Sequence, residues 1–104
     1  MNLDIEDEPP VADATAADIH VGLSKLTSTG QRFAVLKRAP YFLIQAYAED
    51  SGDLYVQYWD GGRDRMYEAS PQSRSAVVEA FLSYLNDDNR WRTAFEWRRM
   101  DNEG

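Results

Sequence analysis

The strongest constraint on the fold is a stretch of alternating apolar and polar residues that is interrupted twice by turn-forming residues. The stretch runs from Tyr41 to Ala69, and the interruptions are Asp50-Ser51-Gly52-Asp53 and Asp60-Gly61-Gly62-Arg63. Alternation with a period of two puts successive side chains on opposite faces of a strand, and Asp, Ser and Gly favour turns. The pattern predicts three antiparallel strands over residues 41–48, 54–60 and 63–69, joined by hairpins.

The turn residues also predict how these strands pair. Gly61 and Gly62 suit a two-residue hairpin, and the pairs that it creates are Trp59 with Asp64, Gln57 with Met66, and Tyr55 with Glu68. The preceding loop could contain two residues, Ser51-Gly52, or three, Asp50-Ser51-Gly52, with Gly52 in the left-handed conformation. We choose the three-residue loop because it separates apolar from polar side chains better, and a buried face specifies register strongly.

This register divides the predicted sheet into a core face and a second face. The core face collects Phe42, Ile44, Ala46, Ala48, Leu54, Val56, Tyr58 and Tyr67. The second face collects Tyr41, Leu43, Gln45, Tyr47, Tyr55, Gln57, Trp59, Asp64, Met66 and Glu68. Tyr, Trp and Met are enriched at protein interfaces. Two interpretations stay open: this face binds a partner, or the first helix covers it.

Helices and further strands are predicted on both sides of this stretch. Ile19, Leu23 and Leu26 have helical spacing and indicate a short helix over residues 16–26, followed by a strand over 31–38. Ser70 as N-cap and Pro71 at the first helical position predict a second helix. Its apolar face comprises Val77, Val78, Phe81, Leu82 and Leu85. Residues 91–99 read as a last strand. The expected fold is therefore α+β, an antiparallel four- to five-stranded sheet with one long helix packed on one face and a short N-terminal helix.

Charge is distributed unevenly along the chain. Of the formal charge of −7, six acids and no Lys or Arg fall within residues 1–24, which leaves the rest near neutral at −1. Because residues 1–15 hold few large apolar groups, we expect them to form a disordered acidic tail. One α+β domain is expected over 16–100, with residues 101–104 disordered. The near-neutral body argues against a nucleic-acid partner.

The residues needed for common catalytic and metal sites are scarce. The chain has no Cys and a single His, His20, which excludes thiolate sites and the usual zinc sites. Asp50-Ser51-Gly52-Asp53 is read as a hairpin turn, because a calcium loop needs more oxygen ligands. We therefore expect no catalytic residue, no cofactor and no metal. With no apolar run of ~20 residues and no secretory signal at the N-terminus, we expect a cytoplasmic protein that does not enter the membrane.

Residues 41–98 resemble the first-numbered immunity-protein family of bacterial polymorphic toxin systems. The residues that carry the resemblance are Phe42-Leu43-Ile44-Gln45, Leu54 to Tyr58, Asp60-Gly61-Gly62, Met66-Tyr67, Val77 to Leu85, Asp87 or Asp88, Trp91-Arg92 and Phe95-Glu96-Trp97. The chain departs from the pattern at Gln57, where an acid is expected, and at Asn86-Asp87, which replaces Gly-Asp. The resemblance implies a small α+β fold without catalytic activity that protects the producing cell by binding a toxin.

The function expected from the sequence is therefore non-catalytic binding of a protein partner, as an immunity protein that inhibits a cognate bacterial toxin by direct binding. The predicted partner-binding residues are Tyr47, Tyr55, Gln57, Trp59, Asp64, Met66 and Glu68. Two alternatives stay open. One is a secretion-chaperone-like dimer that binds a partner's extended segment. The other is a small ligand-binding domain with a pocket around Trp91 and Trp97.

Overall fold

A computed structural model describes residues 1–100, which form an α+β fold with one antiparallel sheet. The elements in chain order are β1 (Asn2–Ile5), α1 (Ala16–Ser24), β2 (Phe33–Ala39), β3 (Phe42–Ala48), β4 (Leu54–Asp60), β5 (Met66–Gln72), α2 (Arg74–Leu85), α3 (Arg90–Ala94) and β6 (Arg98–Arg99). The described residues thus contain six strands, in the spatial order β1 to β6, and three helices. The α+β class is confirmed, but the predicted number of strands and helices is too small. Residues 101–104, expected to be disordered, lie outside the described residues.

The core lies between one face of the sheet and the pair α1 and α2. Its fully buried members include Ile19, Leu23, Leu26, Ala34, Leu36, Ile44, Ala46, Leu54, Val56, Val77 and Phe81. In β3 and β4 these are the alternate positions that the sequence pattern assigns to the core. Phe42 is the exception, because it is 39% exposed at the end of β3. There it lies against the Gly61 turn, where a Cβ on Gly61 would come within 3.2 Å of the Phe42 ring.

The prediction that residues 1–15 form a disordered tail is wrong for Asn2–Ile5, which form β1. β1 pairs with β2, and its two large apolar side chains, Leu3 and Ile5, are buried in the core. α1 packs directly over them, because a Cβ on Gly22 would lie 2.9 Å from Ile5 Cδ1. The neighbouring acids are also bound: Glu6 pairs with Arg32 at 3.0 Å, and Arg32 lowers the pKa of its carboxyl. Two buried side chains on a paired strand are enough to order a segment that is acidic overall.

The start of α2 lies three residues later than the sequence predicts. Ser73, and not Ser70, is the N-cap, with its hydroxyl accepting a hydrogen bond from the Ala76 N–H. β5 continues through Ser70 and Pro71 to Gln72, with a register irregularity opposite β4. Proline is tolerated in strands at such irregular positions, where no ladder donor is needed. The Ser-Pro pair therefore continues a strand here.

The predicted last strand over residues 91–99 is mostly wrong, because it is divided into α3 and the two-residue β6. Buried Ser83 of α2 fixes this segment: its hydroxyl accepts from the Trp91 N–H at 3.1 Å and donates to the Asp88 carboxylate. Asp88 also accepts from Arg90. The hydrogen bonds from Arg90 and Ser83 lower the pKa of Asp88 to about 2. These hydrogen bonds place the Trp91 side chain in the core. There its ring packs edge-on against the Tyr58 ring, with centroids 4.7 Å apart.

Leu3→Ala tests whether the first strand is part of the fold. We expect the free energy of unfolding to fall by about 2–4 kcal/mol, because a fully buried leucine is removed. Asp4→Ala is the matched control: Asp4 is exposed on the other face of the same strand, so its loss should change stability by less than about 0.5 kcal/mol. Denaturant unfolding of both variants is the measurement. Equal, small effects on the free energy of unfolding would support a disordered tail over residues 1–15.

Candidate functional site

The side of the sheet away from the helices is the candidate site, and we call it the open face. α1 and α2 pack together, α1 against β1 and α2 against β3 and β4, and their buried residues join the core side chains of the sheet. α1 therefore does not cover the aromatic face, and the interpretation in which it does is wrong. Among residues 1–100, no helix lies on the open face.

Strand pairing arranges the open face in three rows that run across the strands. The turn-end row is the row nearest the turn between β4 and β5, and it comprises Asn2, Lys37, Leu43, Trp59 and Met66. The middle row comprises Asp4, Val35, Gln45, Gln57, Glu68 and Arg98. The aromatic row comprises Phe33, Tyr47 and Tyr55. Directly opposed residues share a face, so each row is one line of neighbouring side chains, and two rows rich in large apolar or aromatic groups enclose a polar one.

The middle row is held by a directional chain of hydrogen bonds. Gln45 donates to the Gln57 side-chain oxygen, Gln57 donates to the Tyr55 hydroxyl at 3.1 Å, and Tyr55 donates to the Glu68 carboxylate. Gln45 is only 9% exposed, so its amide depends on this chain for a partner. Partial burial, followed by the contact with Glu68, raises the pKa of Tyr55. These hydrogen bonds hold the four side chains in fixed positions.

Aromatic rings pack against one another at both ends of the open face. In the aromatic row the Tyr47 ring lies 5.7 Å from Phe33 and 6.4 Å from Tyr55, in tilted geometries. At the other end Tyr41 stacks on Trp59, with centroids 6.2 Å apart and planes inclined by 15°. Tyr41 and Tyr47 are 45% and 37% exposed. The buried Trp59 Nε1–H has no hydrogen-bond partner among the described residues.

Tyr41 reaches Trp59 from an unusual backbone conformation. It follows Pro40 in the turn between β2 and β3, and its φ is 65°. A turn with Pro at its second position and a positive φ at its third ordinarily carries Gly or Asn at that third position. A bulky residue there costs about 1 kcal/mol or more. This strained backbone conformation places the exposed Tyr41 ring where it stacks on Trp59.

Six of the seven predicted partner-binding residues come together on the open face. They are Tyr47, Tyr55, Gln57, Trp59, Met66 and Glu68. Asp64 does not join them, because the turn after β4 is longer than two residues: the Asp60 N–H donates to Arg65 O at 3.0 Å. Of the two glycines, Gly61 has a positive φ and Gly62 does not.

The longer turn moves the pairing of β4 with β5 by two residues. Trp59 lies opposite Met66 and Gln57 opposite Glu68, so the predicted pairs of these residues are wrong. A shift of two keeps every side chain on its face, whereas a shift of one would have reversed them. Trp59, Gln57, Met66 and Glu68 were therefore assigned to the correct face from wrong pairs.

The sequence reasoning missed the contribution of the outer strands to this face. Phe33, Val35 and Lys37 extend it on β2, Asp4 on β1 and Arg98 on β6. The alternation in Phe33-Ala34-Val35-Leu36-Lys37 carried the signal for β2. The short strands β1 and β6 carry too few residues for a periodic signal of their own.

Other parts of the described chain are weaker candidates for a functional site than the open face. The rings of Trp91 and Trp97 pack edge-on with centroids 6.2 Å apart, and both contact Tyr58, so the space between the two indoles is filled. A groove of about 500 Å³ lies beside them, lined by Ser70, Gln72, Ala94, Phe95, Glu96 and Arg98. Within residues 1–100, no group of three His, Asp or Glu side chains could hold a metal ion, and no helix has the length and apolar character to cross a membrane.

Comparison of the chain with protein-family models, with curated proteins and with solved structures gives no match. The geometry of the open face and the chemistry of the residues that form it are therefore the basis for assigning a function.

Exchange of Tyr41 for Gly and for Ala tests the strained turn. Both variants lose the ring, but only Ala keeps a Cβ at a positive φ, so we expect Tyr41→Gly to be more stable than Tyr41→Ala by about 1 kcal/mol. At ordinary strand positions the order is reversed. Unfolding midpoints of the two variants provide the measurement, and an Ala variant as stable as the Gly variant would show that residue 41 is not strained.

Proposed function

We propose that this chain is a non-catalytic binding protein whose open face covers a protein partner, and that the partner is a bacterial toxin that it inhibits as an immunity protein. The observation that carries the proposal is an uncovered sheet face, among the described residues, on which two rows of large side chains enclose a hydrogen-bonded polar row. Tyr and Trp anchors around a polar centre are typical of protein-binding surfaces.

The shape of the face favours a protein over a small molecule. Six strands about 4.8 Å apart and up to seven residues long give a face of roughly 24 by 20 Å. Small ligands bind in concave cavities, whereas this surface is a sheet. The area is smaller than the ~800 Å² that each partner buries in a standard interface. The loops at the ends of the sheet would therefore contribute to the contact.

The preformed hydrogen bonds of the middle row support the same proposal. Side chains that are already fixed lose little conformational entropy when a partner binds. Gln57 is held on both sides, by Gln45 and by Tyr55, and Glu68 is held by Tyr55. Glu68 is thus a fixed polar contact as well as a charge.

The resemblance to the immunity family supports the toxin partner, although its most specific residues are structural. Phe81, Tyr84 and Trp91 are buried, and Trp97 donates its indole N–H to the Trp91 carbonyl at 3.1 Å. These residues attach α2 and α3 to the sheet. They explain why such a sequence pattern accompanies the fold. In this proposal, the residues of the open face and its surroundings determine which toxin is bound.

The experiment tests the products of the genes that neighbour the gene for this chain. Each is expressed with and without this chain, and a product that stops growth on its own is the expected toxin. We expect the wild-type chain to restore growth of cells that produce the toxin. Trp59→Ala should weaken binding of the purified proteins by about 2 kcal/mol or more, as loss of a central anchor does, and should abolish protection. Titration calorimetry and growth curves are the measurements, with unfolding free energies of every variant taken in parallel.

Val21→Ser provides the matched control for this experiment. Val21 is 53% exposed on α1, on the helix side of the molecule, so its replacement should leave both protection and affinity unchanged. A neighbouring toxin that the wild-type chain neither binds nor neutralises contradicts the immunity proposal. Equal effects of Trp59→Ala and Val21→Ser on affinity, with both variants folded, contradict the assignment of the open face.

A further inference from the structure

The two ends of the open face carry opposite charge. At the end with the aromatic row, the strand ends and the nearby loops carry six carboxylates against three cations: Glu6, Asp7, Glu8, Glu49, Asp50 and Asp53 against Lys25, Arg32 and Arg74. At the end with the turn-end row, six cations face three carboxylates: Lys37, Arg38, Arg63, Arg65, Arg92 and Arg99 against Asp60, Asp64 and Asp87. A partner on this face therefore meets a charge gradient along the strands.

The acidic turn, residues 49–53, holds the carboxylates that remain for a partner. Glu49, Asp50 and Asp53 are exposed and form no ion pair with any residue in 1–100, whereas Glu6 is already paired with Arg32. The turn is closed by the Glu49 N–H, which donates to the Asp53 carbonyl at 2.9 Å. Glu49 follows Tyr47 by two residues and Asp53 precedes Tyr55 by two, so the acids lie at the end of the aromatic row.

The aromatic row adds a second attraction for the same kind of group. Tyr47 is exposed and lies between the Phe33 and Tyr55 rings. The face of an aromatic ring attracts guanidinium and ammonium groups, and arginine more often than lysine. Carboxylates beside such rings strengthen the preference because they pair with the same cations.

We infer that the open face takes its protein partner in one orientation, with an arginine- or lysine-bearing segment of the partner on the aromatic row beside the acidic turn. The inference rests on the proposed function for the use of this face and adds the chemistry of the partner. The reversed orientation would place that segment over Lys37 and the cations of the strand ends and loops beside the turn-end row, which repel it.

The test uses the full chain and a hexa-arginine amide peptide as the probe, with hexaglutamate as the comparison peptide. In a titration followed by NMR, we expect the largest shifts for hexa-arginine at Phe33, Tyr47 and the acidic turn. The affinity should fall as salt is added, because exposed charges are screened. Hexaglutamate should leave these resonances unchanged.

Two double variants with the same change in net charge separate a site from a general charge effect. Asp50→Lys with Asp53→Lys should weaken hexa-arginine binding at least about tenfold. Glu79→Lys with Glu96→Lys, at exposed positions outside the acidic turn, should weaken it no more than about twofold. Tyr47→Ala, which leaves the net charge unchanged, should weaken it about threefold through loss of the ring contact. Unfolding midpoints verify that all variants are folded.

Three outcomes would overturn the inference. They are equal weakening by the two double variants, peptide shifts that map away from the aromatic row, and concentration-dependent shifts at Tyr47 without peptide, which would assign the row to a second copy of the chain. The proposed function fails separately. Binding of hexa-arginine at the row without inhibition of any toxin refutes the immunity role alone, and inhibition of a toxin while the peptide binds elsewhere refutes the partner chemistry alone.

Discussion

The pairing of β3 with β4 is the interaction on which the rest of the structure depends. It is set by a three-residue loop in which Gly52 has a φ of 93°, and it places Ala46 opposite Val56 and Gln45 opposite Gln57. One pair belongs to the core and the other to the open face. A loop one residue shorter would break both pairs, because Gln45 would then share a face with Val56 and Ala46 would share a face with Gln57. Each face would mix apolar and polar side chains, and burial of an unpaired amide is costly.

With the proposed function, stability and binding belong to opposite sides of the same strands. The helix side is apolar and filled, from Leu3 on the first strand to Phe81 on α2. The open side keeps large rings in contact with solvent and accepts local costs for them, namely the strained backbone of Tyr41 and the unpartnered indole N–H of Trp59. Costs of this kind collect at functional sites, because a binding surface is not optimised for the stability of the free protein.

Errors in the predicted elements had unequal consequences for the candidate site. The two-residue error in the pairing of β4 with β5 left Trp59 and Met66 on the same face, because side chains alternate with a period of two. The same error removed Asp64 from the site altogether. Misreading α3 as a strand removed no predicted site residue. The predicted strand over 91–99 included Arg98, but the position of Arg98 opposite Glu68 follows only once β6 is paired with β5.

The sequence by itself determined the hairpin of β3 and β4, the division of these two strands into two faces and the burial of Val77 and Phe81 on α2, because alternation, turn chemistry and helical spacing act over a few residues. Only the tertiary structure decided that β1 joins the sheet, that α1 lies on the helix side and that Trp91 turns into the core. β1 depends on pairing with β2 about thirty residues away and on the close approach of Gly22 to Ile5. Trp91 depends on a hydrogen bond to Ser83 in another helix. Contacts between distant segments leave no local pattern, and so they emerge only when the whole chain packs.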